Sequence, residues 1–203
     1  MNDDNKTVDQ PVELVDELIA ERKTGGAMPD DMPPWMAFVI TRLDCLSRYA
    51  GAVVCWLTLP IFAAMVYEIF VRYVFTAPTL WAFDISRMLY GAMFMLGAGY
   101  ALMRGVHIRA DFIYRHLAPR KQGLIDATLY ILLFFPGIGL FFVFSAEYAV
   151  EAWQRSERLD DTAWRPLVAP ARTTMPVGAL LLLLQGVSEL LKSLYAAWKG
   201  RWP

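Results

Sequence analysis

Residues 49–74 read YAGAVVCWLTLPIFAAMVYEIFVRYV. No charge interrupts this run before Glu68. It is longer than the roughly 20 apolar residues that a helix needs to cross a hydrocarbon core of about 30 Å. Three further runs of similar length follow, at 83–103, 124–148 and 175–194. Lipid offers a backbone no hydrogen-bond partner, so each run is expected to be a helix. The sequence therefore predicts an all-α membrane protein of four transmembrane helices.

The composition agrees. Of 203 residues, 57% are hydrophobic, against about 45–50% in a soluble domain. The excess lies in the four runs, because residues 1–34 are polar. The expected layout is a polar cytoplasmic tail over 1–34, a membrane domain over 35–198 and a C-terminal tail over 199–203. The net charge of −1 gives no basic field for nucleic acid. Residues 1–26 carry acids throughout and no apolar core of a signal peptide, so the first span is expected to act as its own insertion signal. Cys45 and Cys55 are the only cysteines. Ten helical positions separate them by about 15 Å, too far for a disulfide.

Local signals refine the layout. Val12, Leu14, Val15, Leu18 and Ile19 recur at helical spacing in the tail, and Pro29, Pro33 and Pro34 make the next stretch a linker. Trp35–Arg48 mixes aromatic and basic residues in the manner of an interfacial lead-in. In the second connection Asp111 is placed to cap a short interfacial helix that holds Phe112, Ile113 and Leu117 on one side. Pro136-Gly137 predicts a bend in the third span. The fourth span is expected to begin near Pro176. Basic residues close to the spans number ten on the side holding the tail, second connection and C-terminus, and six on the other. The positive-inside rule then puts both termini in the cytoplasm.

Ionisable residues near the spans are few. Glu68 and Arg72 are four apart at the outer end of the first span; Asp84 and Arg87 are three apart at the start of the second, just after Trp81. Both spacings bring side chains together on a helix. Three readings stand: ion pairs that pin helix ends, a polar seam that grips a partner helix, or substrate or proton handling, which the lack of a chain of such groups across the bilayer disfavours. Gly97, Ala101 and Gly105 form a small-residue ladder suited to close helix packing. His107, Arg109 and Asp111 lie in the basic second connection, where lipid headgroups or a solvated loop suit them. Neither His107 nor His116, the two histidines, sits in a span as an axial haem ligand must. No cofactor or metal is expected. Nor do paired glycines or prolines break a span into the half-helices of a substrate site.

Taken in order, Glu68-x-x-x-Arg72-Tyr73-Val74-Phe75, Pro78, Trp81, Asp84, Arg87, Gly97-Ala98 and Gly105-x-His107-x-Arg109-x-Asp111 resemble the small, DctQ-like membrane subunit of tripartite ATP-independent periplasmic (TRAP) transporters. The likeness runs over about 47–194. Phe83-Asp84 stands where that family often has two glutamates. The resemblance implies a division of labour. A periplasmic substrate-binding protein delivers an organic acid. A large multi-span membrane subunit holds the substrate and sodium sites. The small subunit widens the static scaffold without binding substrate. It also implies a bacterial inner membrane. Segments 107–117 and 176–191 look most like members tied to carboxylate or 2-oxo acid transport. Competing readings are the membrane anchor of a respiratory enzyme complex, which normally brings histidines or a quinone pocket, and a self-assembling channel, which needs a polar stripe through a span.

Overall fold

A computed structural model describes residues 29, 31–105, 118–160 and 162–202. The helices are α1 (Pro34–Cys55), α2 (Thr58–Val74), α3 (Ala82–Met103), α4 (Pro119–Leu129), α5 (Phe135–Gln154) and α6 (Ala169–Lys199), with a π-helical turn at Tyr130–Phe134 joining α4 to α5. Among the described residues no strand forms, and the one β-type contact is an isolated bridge between Arg158 and Leu167. Three rods, Pro34–Val74, Pro119–Gln154 and Ala169–Lys199, are long and apolar enough to cross a membrane. The fourth rod, α3, has 22 residues, about 33 Å of helix. The tail helix and the interfacial helix expected around Asp111 lie outside the described residues.

Prolines explain where the rods change. Trp56 and Leu57 interrupt the first rod with amide bonds to the carbonyls three residues back, Val53 and Val54. Pro60 stands four residues after Trp56; it has no amide hydrogen to give the Trp56 carbonyl, and its ring crowds that carbonyl. The sequence reading took residues 49–74 as one unbroken helix and overlooked this proline. The π turn lies just ahead of Pro136, where a bend was expected; a wider turn is one way a helix accommodates such a defect. The last rod, α6, begins at Ala169, with Pro170 in its first turn, and Pro176 lies within it. Pro170, which suits a first helical turn, marks the start that Pro176 had been given. The lead-in 35–48 is likewise continuous with the first rod. α6 ends where Gly200 adopts φ 76° and donates its amide to the Ala196 carbonyl at 2.8 Å, the left-handed cap that glycine tolerates best.

α6 is the central post, with α1, α3, α4 and α5 around it, and α2 leans on α3. The inside is built of small residues: Ala82, Ala92, Ala149, Ala152, Ala169, Ala179 and Ala196 are buried. A Cβ on Gly178 would stand 2.5 Å from the Met95 carbonyl oxygen, and one on Gly123 2.5 Å from the Ser193 carbonyl oxygen. Backbones approach this closely where hydrocarbon surrounds a bundle, because packing rather than water exclusion drives association there. The large apolar residues face outward, among them Trp56, Phe62, Phe70, Leu132, Leu133 and Phe144. In water each such side chain would forgo about 1.5–3 kcal/mol of burial. The bundle is therefore that of a membrane protein.

Candidate functional site

Two polar seams hold the bundle, one at each end, and they are named outer and inner for the orientation that the basic residues predict. The outer one starts from Glu68, buried on α2. Its Oε1 accepts hydrogen bonds from Arg72 Nε at 3.0 Å and Nη2 at 2.5 Å. Its Oε2 accepts from the Thr79 amide at 3.0 Å and from the Thr79 hydroxyl. One carboxylate thus ties the last turn of α2 to the loop that leads into α3. Tyr67 stacks on Trp81 across the same loop, with ring centroids 5.7 Å apart. Of the residues expected here, Glu68, Arg72 and Trp81 come together in this turn. Asp84 is 0% exposed, with Arg87 Nη2 3.8 Å from its Oδ1. Neither Asp84 oxygen accepts a hydrogen bond among the described residues.

The α5–α6 connection completes the outer end. Ser156 (φ 47°) and Arg165 (φ 48°) turn the chain. The Leu159 amide bonds the Pro166 carbonyl and the Val168 amide the Glu157 carbonyl, each at 3.0 Å. Arg172 reaches back from α6 and grips Glu157 with both terminal nitrogens, Nη2 at 2.7 Å from Oε1. Its guanidinium carbon lies 3.8 Å from the centre of the Tyr148 ring. The Arg172 hydrogen bond holds the Glu157 carboxyl below the usual carboxylate range. Between this loop and α3 runs a shallow groove of about 400 Å³, with Ile85, Met88 and Leu89 on one side and Arg158, Trp164 and Leu167 on the other.

The inner seam joins α1 to α6. Asp44 Oδ1 accepts from Gln185 Nε2 at 2.9 Å and the Ser188 hydroxyl at 2.7 Å. Lys192 Nζ bridges Asp44 Oδ2 and Glu189 Oε1, 2.8 Å from each. The Ser47 hydroxyl donates to Gln185 Oε1 at 2.6 Å. Gln185 and Ser188 are wholly buried. Nearer the chain ends, Asp31 Oδ1 accepts from the Tyr195 hydroxyl at 2.7 Å and Arg201 Nη2 at 2.5 Å, with Lys199 Nζ 3.4 Å from Oδ2. Arg201 and then Tyr195 hold the Asp31 carboxyl well below the ordinary carboxylate range. Met32, Met36 and Ile40 pack on Tyr195 beside this latch.

Sequence reasoning overlooked the inner seam. Its signal lies in α6, where Gln185, Ser188, Glu189 and Lys192 recur at three- and four-residue steps and so share a helix face. It overlooked Thr79 too. Of the small-residue ladder, Gly97 faces Val54 at ordinary contact distance, Ala101 is half-buried, and Gly105 lies past the end of α3 with φ 66°. The tightest approach of α3 to α6 falls at Gly178, with Gly99 close to the Leu181 carbonyl. His107, Arg109 and Asp111 lie outside the described residues. Cys45 and Cys55 are free and exposed. No cluster of three metal-ligating residues forms among the described residues.

No curated protein and no solved structure matches this chain. A family model described as "Tripartite ATP-independent periplasmic transporters, DctQ component" matches residues 61–195. That stretch takes in the Glu68 turn, all of α3 and nearly all of α6, and the family's members are components of transporters that also comprise a large membrane subunit and a periplasmic binding protein. The respiratory-anchor alternative receives no support from this match. The chain belongs to the DctQ family and is a small membrane component of the TRAP transporter type.

Proposed function

We propose that this chain is the scaffold subunit of a sodium-coupled importer, with no substrate or sodium ligand of its own. The importer takes up an organic acid that a periplasmic binding protein delivers. All four rods cross the bacterial inner membrane in this reading, with both termini cytoplasmic. The large multi-span subunit carries the transport path. Glu68, Arg72, Trp81, Asp84 and Arg87 fix the outer helix ends, either within the chain or to that subunit. Gly97, Ala101 and Gly105 serve helix packing, and His107, Arg109 and Asp111 serve headgroup contact or a cytoplasmic loop. The loop 154–172 is where the binding protein docks.

The observation that carries this reading is the inner seam. Its acids are taken by the chain's own donors: Asp44 by Gln185, Ser188 and Lys192, and Glu189 by Lys192. A coupling site keeps polar groups available to a passing ion, whereas these close on one another. The test is uptake by the reconstituted complex at varied sodium and varied binding protein. Neutral replacements of Asp126, Glu147 or Glu151 should leave the apparent sodium affinity unchanged, and changes in 154–172 should raise the binding-protein concentration needed. A large shift in sodium dependence with the complex intact would end the scaffold reading. External labelling of cysteines introduced at Thr79 and Thr162, but not at Gln122, checks the orientation.

A further inference from the structure

The exposed residues of α3 are few and aligned. Phe83, Arg87, Tyr90, Gly91 and Phe94 are exposed and the helix's other residues are buried or half-buried. At 100° per residue these five fall on one side of the helix. Tyr90 is 60% exposed, and its hydroxyl has no partner among the described residues. It stands eight residues into α3, about 12 Å from the helix start, which in the four-rod reading lies inside a hydrocarbon layer about 30 Å thick. A hydroxyl left unbonded at that depth is costly, because lipid chains accept no hydrogen bond. Of the exposed tyrosines of the first rod, Tyr49 and Tyr73 lie at the ends of its apolar stretch, where water and headgroups serve them, and Tyr67, about as deep as Tyr90, stacks on Trp81. The outward faces of the remaining rods differ. α2 shows Leu59, Phe62, Val66 and Ile69, and the rod through the π turn and α5 shows Leu132, Leu133, Leu140 and Phe144, all side chains that hydrocarbon suits.

Shape agrees with chemistry. A Cβ on Gly91 would meet nothing within 4 Å, so a notch lies beside Tyr90, as another does at Gly137 on α5. Such a notch lets another helix come close. The Arg87 guanidinium, beside the Phe83 ring and 3.8 Å from the buried Asp84 carboxylate, stands at the outer end of the stripe. We infer that this stripe is the seat of a transmembrane helix of the large subunit, packed into the Gly91 notch and carrying a hydrogen-bond acceptor level with Tyr90. This rests on the subunit reading above and adds the face by which the two proteins join. The apolar faces of α2 and α5 are left to lipid.

The test uses the full chain co-expressed with the large subunit and purified without prior crosslinking. A photoreactive benzoylphenylalanine replaces Tyr90 or Phe94, and Phe62 or Phe144 as controls. Adducts to the large subunit, identified by mass spectrometry, are expected from positions 90 and 94, with lipid adducts from 62 and 144. Tyr90→Phe removes the hydroxyl alone and should lower recovery of the complex by about threefold. Gly91→Leu fills the notch without touching this chain's own packing and should lower recovery by at least about tenfold. An intact complex whose adducts arise from 62 or 144 and not from 90 and 94 overturns the assignment and leaves the subunit reading standing. So does an adduct from position 90 to a second copy of this chain, or to lipid alone. Failure of any large subunit to co-purify with the unaltered chain sinks the subunit reading and this assignment together.

Discussion

The outer turn around Glu68 and the inner seam around Lys192 are both closed by carboxylates, yet they do different work. Glu68 bonds partners four and eleven residues away. Asp44 bonds partners 141, 144 and 148 residues away. The first arrangement shapes one corner of the chain. The second joins the first rod to the last and so fixes which helices are neighbours. Polar groups in hydrocarbon have no water to fall back on, so a network of this kind disfavours every pairing of rods that leaves it unmatched. The lesson is that a pair within one corner of the chain sets a turn, whereas a pair between distant rods sets which rods are neighbours.

Lys192→Met breaks the comparison at its strongest point. It leaves Asp44 and Glu189 facing each other with no cation; removal of one partner from a fully buried pair costs about 3–5 kcal/mol, and this pair, with side chains 18% and 21% exposed, should lose somewhat less. The variant should melt far below the unaltered chain in detergent and yield little complex. Lys192→Met combined with Asp44→Asn and Glu189→Gln should recover most of the loss, since no charge is then stranded. Lack of rescue would mean that Lys192 acts through packing rather than charge.

Arg172→Ala tests whether an outer contact matters when it spans elements. Arg172 is nearly buried, and it grips Glu157 and covers the Tyr148 ring. Its loss should cost about 1–2 kcal/mol, and should loosen the 154–172 loop to protease. Arg158 bonds one exposed carbonyl, so Arg158→Ala should change melting little. Equal effects would argue that the loop is held by its backbone bonds alone. Thr79→Val comes next. It removes the hydroxyl on Glu68 but keeps the amide bond and Arg72, so a drop of only a few degrees is expected, with the α1–α6 pairing unchanged.

What the sequence made legible follows the same division. The rods could be read because apolar runs of membrane length are local signals, and Glu68–Arg72 and Asp84–Arg87 could be read because helical spacing is local too. The start of α6 was misplaced because Pro170 and Pro176 both punctuate that stretch, and only packing shows which begins the helix. Pro60 was visible, but the hydrophobicity around it hid its effect on Trp56. The seam at Asp44 could not be found from spacing on one helix. Gln185, Ser188, Glu189 and Lys192 share a face, yet nothing in the sequence says that the face meets Asp44 and Ser47. That partner is set by how the rods assemble.

The smallest expected effect lies at the Asp31 latch, where the inner seam reaches water. Asp31 is partly exposed and takes donors from Tyr195, Arg201 and Lys199, so it resembles the outer contacts in exposure and the inner seam in the distance it bridges. Its carboxyl is held well below the ordinary value near 3.9. A carboxyl depressed in the folded state adds stability above its unfolded value, and that stability fades as pH falls through the folded value. The latch should therefore be unchanged from pH 8 down to about 5 and weaken only in stronger acid, below the usual carboxylate range. Asp31→Asn should speed amide exchange in the first turns of α1, around Met36 and Ile40, at pH 7, and should remove the acid sensitivity of that exchange. The α1–α6 pairing should survive, because Asp44 and Lys192 still hold it. If exchange at Met36 and Ile40 is as slow in Asp31→Asn as in the unaltered chain, the lead-in is fixed by its apolar contacts with Tyr195. Distance bridged along the chain would then be a poor guide to the strength of a contact at the membrane surface, and burial would be the property that separates the two seams.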